Sequence, residues 1–238
     1  MKTIYFAIIG SLLLNAAIGQ NKIVNDPNAE VRTVKGFHGI RVSNGIHLFL
    51  TQGNEEAVAV SATERKYRDR IVTVVEDGVL KIYVEKSHWS FWDDDWKNLK
   101  AYVSCKVLDE LKASSGARVD VDGSLHSGNL TMHFSSGSGF NGNVQVTDLK
   151  IDQGSGADTK ISGTASSLNV ESSSGSSLKG YDLETDQCSA NCSSGGSVHI
   201  TVKKELSASA SSGGQIYYRG NGVIRDISTS SGGEVSRR

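Results

Sequence analysis

The chain has 238 residues, 37% of them hydrophobic, which allows one large or two modest domains with a substantial core and argues against a disordered chain. Twenty-five basic residues stand against twenty-six acidic ones, a formal charge of -1 that implies neither a nucleic-acid surface nor a polybasic membrane patch. Three cysteines and six scattered histidines lack the clustered spacing of a zinc site, so neither a metal nor a cofactor is expected.

The first segment, MKTIYFAIIGSLLLNAAIG, places Lys2 before an apolar run and ends on Ala17-Ile18-Gly19, small residues at the positions that signal peptidase prefers. The run from Ile4 to Leu14 is shorter than the roughly 20 residues a bilayer requires. A cleaved Sec leader over residues 1–19 is therefore predicted, followed by an extension over 20–35 and an exported domain over 36–238. No later segment is long and apolar enough to span a membrane as a helix.

Residues 36–108 read as strands. Ile40 and Val42 alternate with polar residues, and Ile46, Leu48 and Leu50 do the same after Asn44-Gly45. RIVTVVE and VLKIYVE flank Asp77-Gly78, the strongest short hairpin signal in the chain. Residues 63–70 suit one short helical turn. Alternation then stops at HWSFWDDDWKN, which holds all three tryptophans, Trp89, Trp92 and Trp96, around Asp93, Asp94 and Asp95.

Residues 109–238 carry an internal repeat. A glycine preceded by serine stands at Gly116, Gly137, Gly156, Gly175, Gly195, Gly213 and Gly232, at spacings of 21, 19, 19, 20, 18 and 19 residues. Five residues before each glycine stand Leu111, Met132, Ile151, Val170, Ala190, Ala208 and Ile227. Seven before it come Leu130, Leu149, Leu168, Cys188 and Leu206, with Arg225 in the last unit. Three after it come Val119, Phe140, Thr159, Leu178, Val198, Ile216 and Val235. Slots two apart share one face of a strand. A unit near 20 residues with two short strands cannot bury its apolar face alone, so it must stack on the next copy. The predicted fold is all-β: a right-handed, single-stranded parallel β-helix of about seven rungs, with rungs about 4.8 Å apart.

The serine column reads as structural, since aligned hydroxyls on adjacent coils can exchange hydrogen bonds, whereas a nucleophile needs one serine paired with a base. Cys188 and Cys192 fall on inward slots, roughly 13 Å apart along an extended strand and too far for a disulfide. Arg225 and the pair Arg237-Arg238 suit a polar terminal coil that discourages edge pairing.

GFHGIRVSNGIHLFLTQG, the hairpin ending in GVLKIYVE, and LDELKASSGARVDVDG together resemble the family described as putative autotransporter adhesin, head GIN domain, over roughly residues 36–220. The resemblance implies an exported bacterial β-helix with an adhesin-like role at the cell surface or envelope, and it carries no catalytic residues. A glycan or surface protein is the partner expected.

Aromatic rings stack on sugars and fill partner pockets. Trp89, Trp92, Asp93, Asp94, Asp95 and Trp96 are therefore the candidate binding residues, with a cover over one end of the solenoid as the other reading. Consecutive aspartates lack the spacing of a calcium loop. An enzyme acting on polysaccharide is the rival class, for which Asp152 and Glu171, stacked four before the glycine, are the best acid/base pair. A purely structural envelope protein is the third reading. No catalytic residue is assigned.

Overall fold

In a computed structural model of the chain, which describes residues 26–85 and 98–238, every Ser-Gly pair of the repeat has positive φ at both residues. The serines lie at 47° to 54° and the glycines at 70° to 75°. Two consecutive positive-φ residues make a type I′ turn. A backbone bond closes it, as where Gly196 N–H donates to the Ser193 carbonyl at 2.9 Å. The glycine N–H then donates to the serine carbonyl of the next rung, from Gly45→Ser115 through Gly213→Ser231, at 2.9 to 3.2 Å. The ladder at this corner thus runs through the backbone, not through the serine hydroxyls anticipated from the sequence. Hydroxyl and amide ladders occur elsewhere: Ser124 Oγ donates to Asn143 Oδ1 at 2.6 Å, and Asn143 Nδ2 to Ser162 Oγ at 3.0 Å.

Of the described residues 66% are strand and 2% helix, with a β-solenoid of about seven turns. Its elements in order are β1 (Glu30–Arg32), β2 (Gly39–Val42), β3 (His47–Gln52), β4 (Ala57–Ser61), α1 (Arg65–Arg68), β5 (Ile71–Glu76), β6 (Val79–Val84) and β7 (Lys100–Cys105). They continue with β8 (Glu110–Ala113), β9 (Arg118–Phe134), β10 (Gly139–Gln153), β11 (Asp158–Ser172), β12 (Ser177–Cys192), β13 (Ser197–Ala210), β14 (Gln215–Arg219), β15 (Val223–Thr229) and β16 (Glu234–Arg237). From β8 and β9 onward each rung pairs in parallel with the next.

The apolar columns align in that register. Met132, Ile151, Val170, Ala190 and Ala208 stand opposite one another, as do Val119, Phe140, Thr159, Leu178, Val198 and Ile216, and all are buried. Burial of these columns drives stacking, because an isolated rung would leave them in water.

The first half adds rungs to the same stack in an order that differs from chain order. β2 and β3, joined at Asn44-Gly45 (φ 61° and 69°), pair in parallel with β8 and β9 on one side and with β6 and β7 on the other. Ile40 and Leu48 stand five before and three after Gly45. They therefore obey the repeat frame, although Asn replaces Ser. Beyond β6 and β7 the pairing turns antiparallel, with β5 on β6, β4 on β7 and β1 on β4. The expected hairpin forms at Asp77-Gly78, both with positive φ, and α1 is the expected short turn, burying Tyr67.

Two details of the last rung and the thiols follow from packing. The register shifts between Leu206 and Ser207, so Ile224, not Arg225, stands opposite Leu206. Arg225 instead points outward and pairs with Glu205 at 2.5 Å. Cys105, Cys188 and Cys192 are free and buried, and burial pushes the thiols of Cys105 and Cys188 up to about 12.

Thr159 is fully buried in an apolar column, and its hydroxyl has no hydrogen-bond partner. Thr159→Val should therefore raise stability by about 1 kcal/mol in urea titration. Gly137→Ala, whose Cβ would meet open space, should cost only about 1–2 kcal/mol through its φ of 71°. Gly163→Ala would place Cβ 1.9 Å from the Val144 carbonyl oxygen of the neighbouring rung, so its loss in the same titration should be markedly larger.

Candidate functional site

Alternation along each strand sends every second side chain outward, and stacking sets those side chains in rows across rungs. On the face that follows the Ser-Gly turn, the outward positions two and four after the glycine form two such rows. At the β3 end His47 Nε2 meets Asp120 Oδ2 at 2.5 Å, and Asn141 Nδ2 donates to Asp120 Oδ1 at 3.0 Å. Burial opposes ionisation of Asp120, but the bonds from Asn141 and His47 hold its carboxyl below the usual range. Farther along, Lys179 pairs with Asp158 at 2.7 Å.

At the C-terminal end of this face the rows turn aromatic and cationic. Tyr181 lies at the corner that ends the face, His199 on β13 and Tyr217 on β14. The Tyr181 and His199 ring centroids are 4.9 Å apart, and those of His199 and Tyr217 5.2 Å. The Arg219 guanidinium lies 3.9 Å over the Tyr181 ring and that of Arg238 4.4 Å over Tyr217. His199 Nε2 is 3.1 Å from Ser197 Oγ. Partial burial, then the positive charges of Arg219, Arg238 and Lys179, hold the His199 imidazole below its ordinary pKa. Arg219, Arg238 and Lys179 thus gather around the row, with Asp158 on Lys179 and Glu234 3.9 Å from Arg238.

His199 and Tyr217 stand four after Gly195 and Gly213 and so share one outward row of the repeat frame, to which Tyr181 and Arg219 do not belong. Both stand six after their glycines, at Gly175 and Gly213. That position lies at a corner of varying length, where the register of β12 against β13 shifts between Gly180 and Glu184. Tyr181 reaches across the intervening rung to meet Arg219.

The other candidates differ in what the structure brings together. Asp152 and Glu171 are register partners on β10 and β11, and Asp152 also lies 3.4 Å from His133 Nδ1. Trp89, Trp92, Asp93, Asp94, Asp95 and Trp96 lie outside the described residues, as does the predicted leader. The flanks of the tryptophan segment are described: β6 stacks on β2 and β7 on β3. The segment thus leaves and rejoins the solenoid where other rungs carry the two-residue turn. A shallow open depression beside its first flank is lined by Asn44, Tyr83, Glu85 and Ser115 among others. Among the described residues no group of three or more His, Cys, Asp or Glu side chains could hold a metal ion, and no helix is long and apolar enough to cross a membrane.

Comparison with known proteins adds a family and a fold. The sequence pattern of the family described as "Putative auto-transporter adhesin, head GIN domain" matches residues 36–222. No curated protein matches the chain at a significant level. A solved structure described as a putative adhesin from Bacteroides fragilis superposes with a TM-score of 0.80 at 17% identity, covering 88% of this chain and 96% of that one. A putative adhesin from Parabacteroides distasonis gives 0.70 at 16% identity, over 88% and 96%. A protein from the same species described as a putative lipid binding protein gives 0.66 at 19% identity, over 90% and 98%. At these identities the likeness is one of fold.

The electrostatics of the aromatic row can be read directly. His199 should titrate below 6.5 by NMR, and Arg219→Gln should move it upward by removing one of the repelling charges. Because the neutral imidazole is the form the fold favours, the stabilising effect is complete above pH 6.5 and declines as pH falls through that value toward the folded pKa.

Proposed function

Since the chain belongs to the auto-transporter adhesin, head GIN domain family, we propose that it is an exported, non-enzymatic, adhesin-like protein of the cell surface or envelope that engages a glycan or protein partner through its outer faces. A Sec leader over residues 1–19 delivers it, and residues 36–238 form the binding domain. The observation that carries this reading is the aromatic and cationic row at Tyr181, His199 and Tyr217. Side chains directed outward contribute little to the core, so aromatic rings gathered there across three rungs suit contact with another molecule.

The tryptophan segment belongs to the same proposal as a second contact, through Trp89, Trp92 and Trp96 with the intervening Asp93, Asp94 and Asp95. Tryptophan and carboxylate side by side suit the apolar face and the hydroxyls of a sugar.

A glycan array probed with the mature chain and with Trp92→Ala, each with its melting temperature, tests this reading. The expected result is binding by the parent that is lost in a variant of unchanged melting temperature. No binding by the parent, with a strongly destabilised variant, would make the segment a cover over the solenoid end.

A further inference from the structure

We propose that Tyr181, His199, Tyr217, Arg219 and Arg238 form a binding site for a carboxylated polysaccharide, a chain of uronic-acid sugars laid along the outer face of β12, β13 and β14. The proposal rests on the adhesin-like reading and names the ligand class of that surface.

Charge on this face is incompletely matched. Most solenoid lysines and arginines near a carboxylate are matched by one on an adjacent rung: Lys179 with Asp158, Lys203 with Glu184, Lys204 with Asp186 and Arg225 with Glu205. Among the described residues Arg219 has no side-chain carboxylate within ion-pair distance, and Arg238 has one at the limit of that distance, Glu234 at 3.9 Å, which also accepts from the Tyr217 hydroxyl at 3.5 Å. The guanidinium carbon of Arg219 lies 3.9 Å from the Tyr181 ring centroid and that of Arg238 4.4 Å from the Tyr217 centroid. A ring contact does not consume the N–H donors of a guanidinium, whose fork matches a carboxylate in bidentate geometry. The His199 pKa is lowered first by burial and then by the charges of Arg219, Arg238 and Lys179.

Shape and neighbouring chemistry fit as well. The row follows the stacking direction, and each rung advances about 4.8 Å. That advance is comparable with one residue of an extended polysaccharide. The adjacent row supplies Ser177, Ser197 and Gln215, paired in register. These are uncharged hydroxyls and an amide, suited to sugar hydroxyls. A polyphosphate or nucleic acid would call for cations at every step. A uronate chain bears one carboxylate and free hydroxyls on each sugar, and so calls for cations mixed with hydroxyl partners, which is the mixture present.

The test uses the full mature chain and two probes, oligogalacturonate and alginate oligosaccharide, each beside its carboxyl-reduced neutral form, with binding followed by calorimetry and by the NMR signals of His199. The expected result is binding of at least one carboxylated probe, weakening as salt is raised, with the His199 pKa rising in the complex. Arg219→Gln combined with Arg238→Gln should lower affinity at least tenfold without changing the melting temperature, whereas Lys150→Gln, on another face, should leave it unchanged. Equal binding of neutral and carboxylated probes, no binding of either carboxylated probe, or indifference to the two arginine substitutions would overturn the proposal. If the array experiment still shows glycan binding when this test fails, the adhesin-like reading survives and only the uronate site is lost. Should both fail, a glycan partner is lost and the adhesin-like reading rests on a protein partner.

Discussion

The structure depends on one repeated interaction, the backbone bond from each glycine N–H to the serine carbonyl of the next rung, made at a turn in which both residues have positive φ. A non-glycine residue in that conformation is disfavoured by about 1–2 kcal/mol. Seven serines accept it. The offset comes from two bonds per turn, one within the rung and one between rungs, together with the burial of the columns on either side. None of these gains is complete in a single rung, so each unit is held by its neighbours.

This division of labour frees the outer faces. Inward slots are committed to leucine, valine, isoleucine and small residues, and turn slots to serine and glycine. Outward slots have no such duty and can be set row by row. Rows of matched charge such as Lys203–Glu184 reinforce the stack modestly, because exposed pairs are screened by water. A row of Tyr181, His199 and Tyr217 with two stacked arginines has no equivalent structural need. The two ends also differ. Antiparallel strands β1, β4 and β5 lie beyond the parallel rungs at one end. The last rung at the other end carries Arg225 turned outward and exposes Val223 and Ile224.

Much of this was legible beforehand, and particular residues show why. The apolar columns repeat at fixed distance from a glycine, and a parallel stack converts fixed distance into spatial register. Asp77-Gly78 announced its hairpin because the turn type demands those residues. Cys188 and Cys192 were placed inward by the same frame. Asn44-Gly45 escaped it for a chemical reason: asparagine tolerates positive φ better than serine, so it performs the same turn without matching the Ser-Gly signature. Arg225 was misplaced by one position, since a register shift beside Leu206 puts Ile224 in the slot.

By itself the sequence determined the local conformations and the inward columns, because positive φ and alternating burial act within a few residues and repeat at every rung. It also pointed to the family, through motifs spread along residues 36–220. Only the tertiary structure decided the order of the rungs, in which β2 and β3 sit between β6–β7 and β8–β9, since chain order does not fix which edge a later strand joins. It alone brought Tyr181 to Arg219, two rungs apart, because the side chains meet across a corner whose length varies from rung to rung. Periodicity records what each rung must bury, and it carries no record of which outward neighbours the stacking brings together.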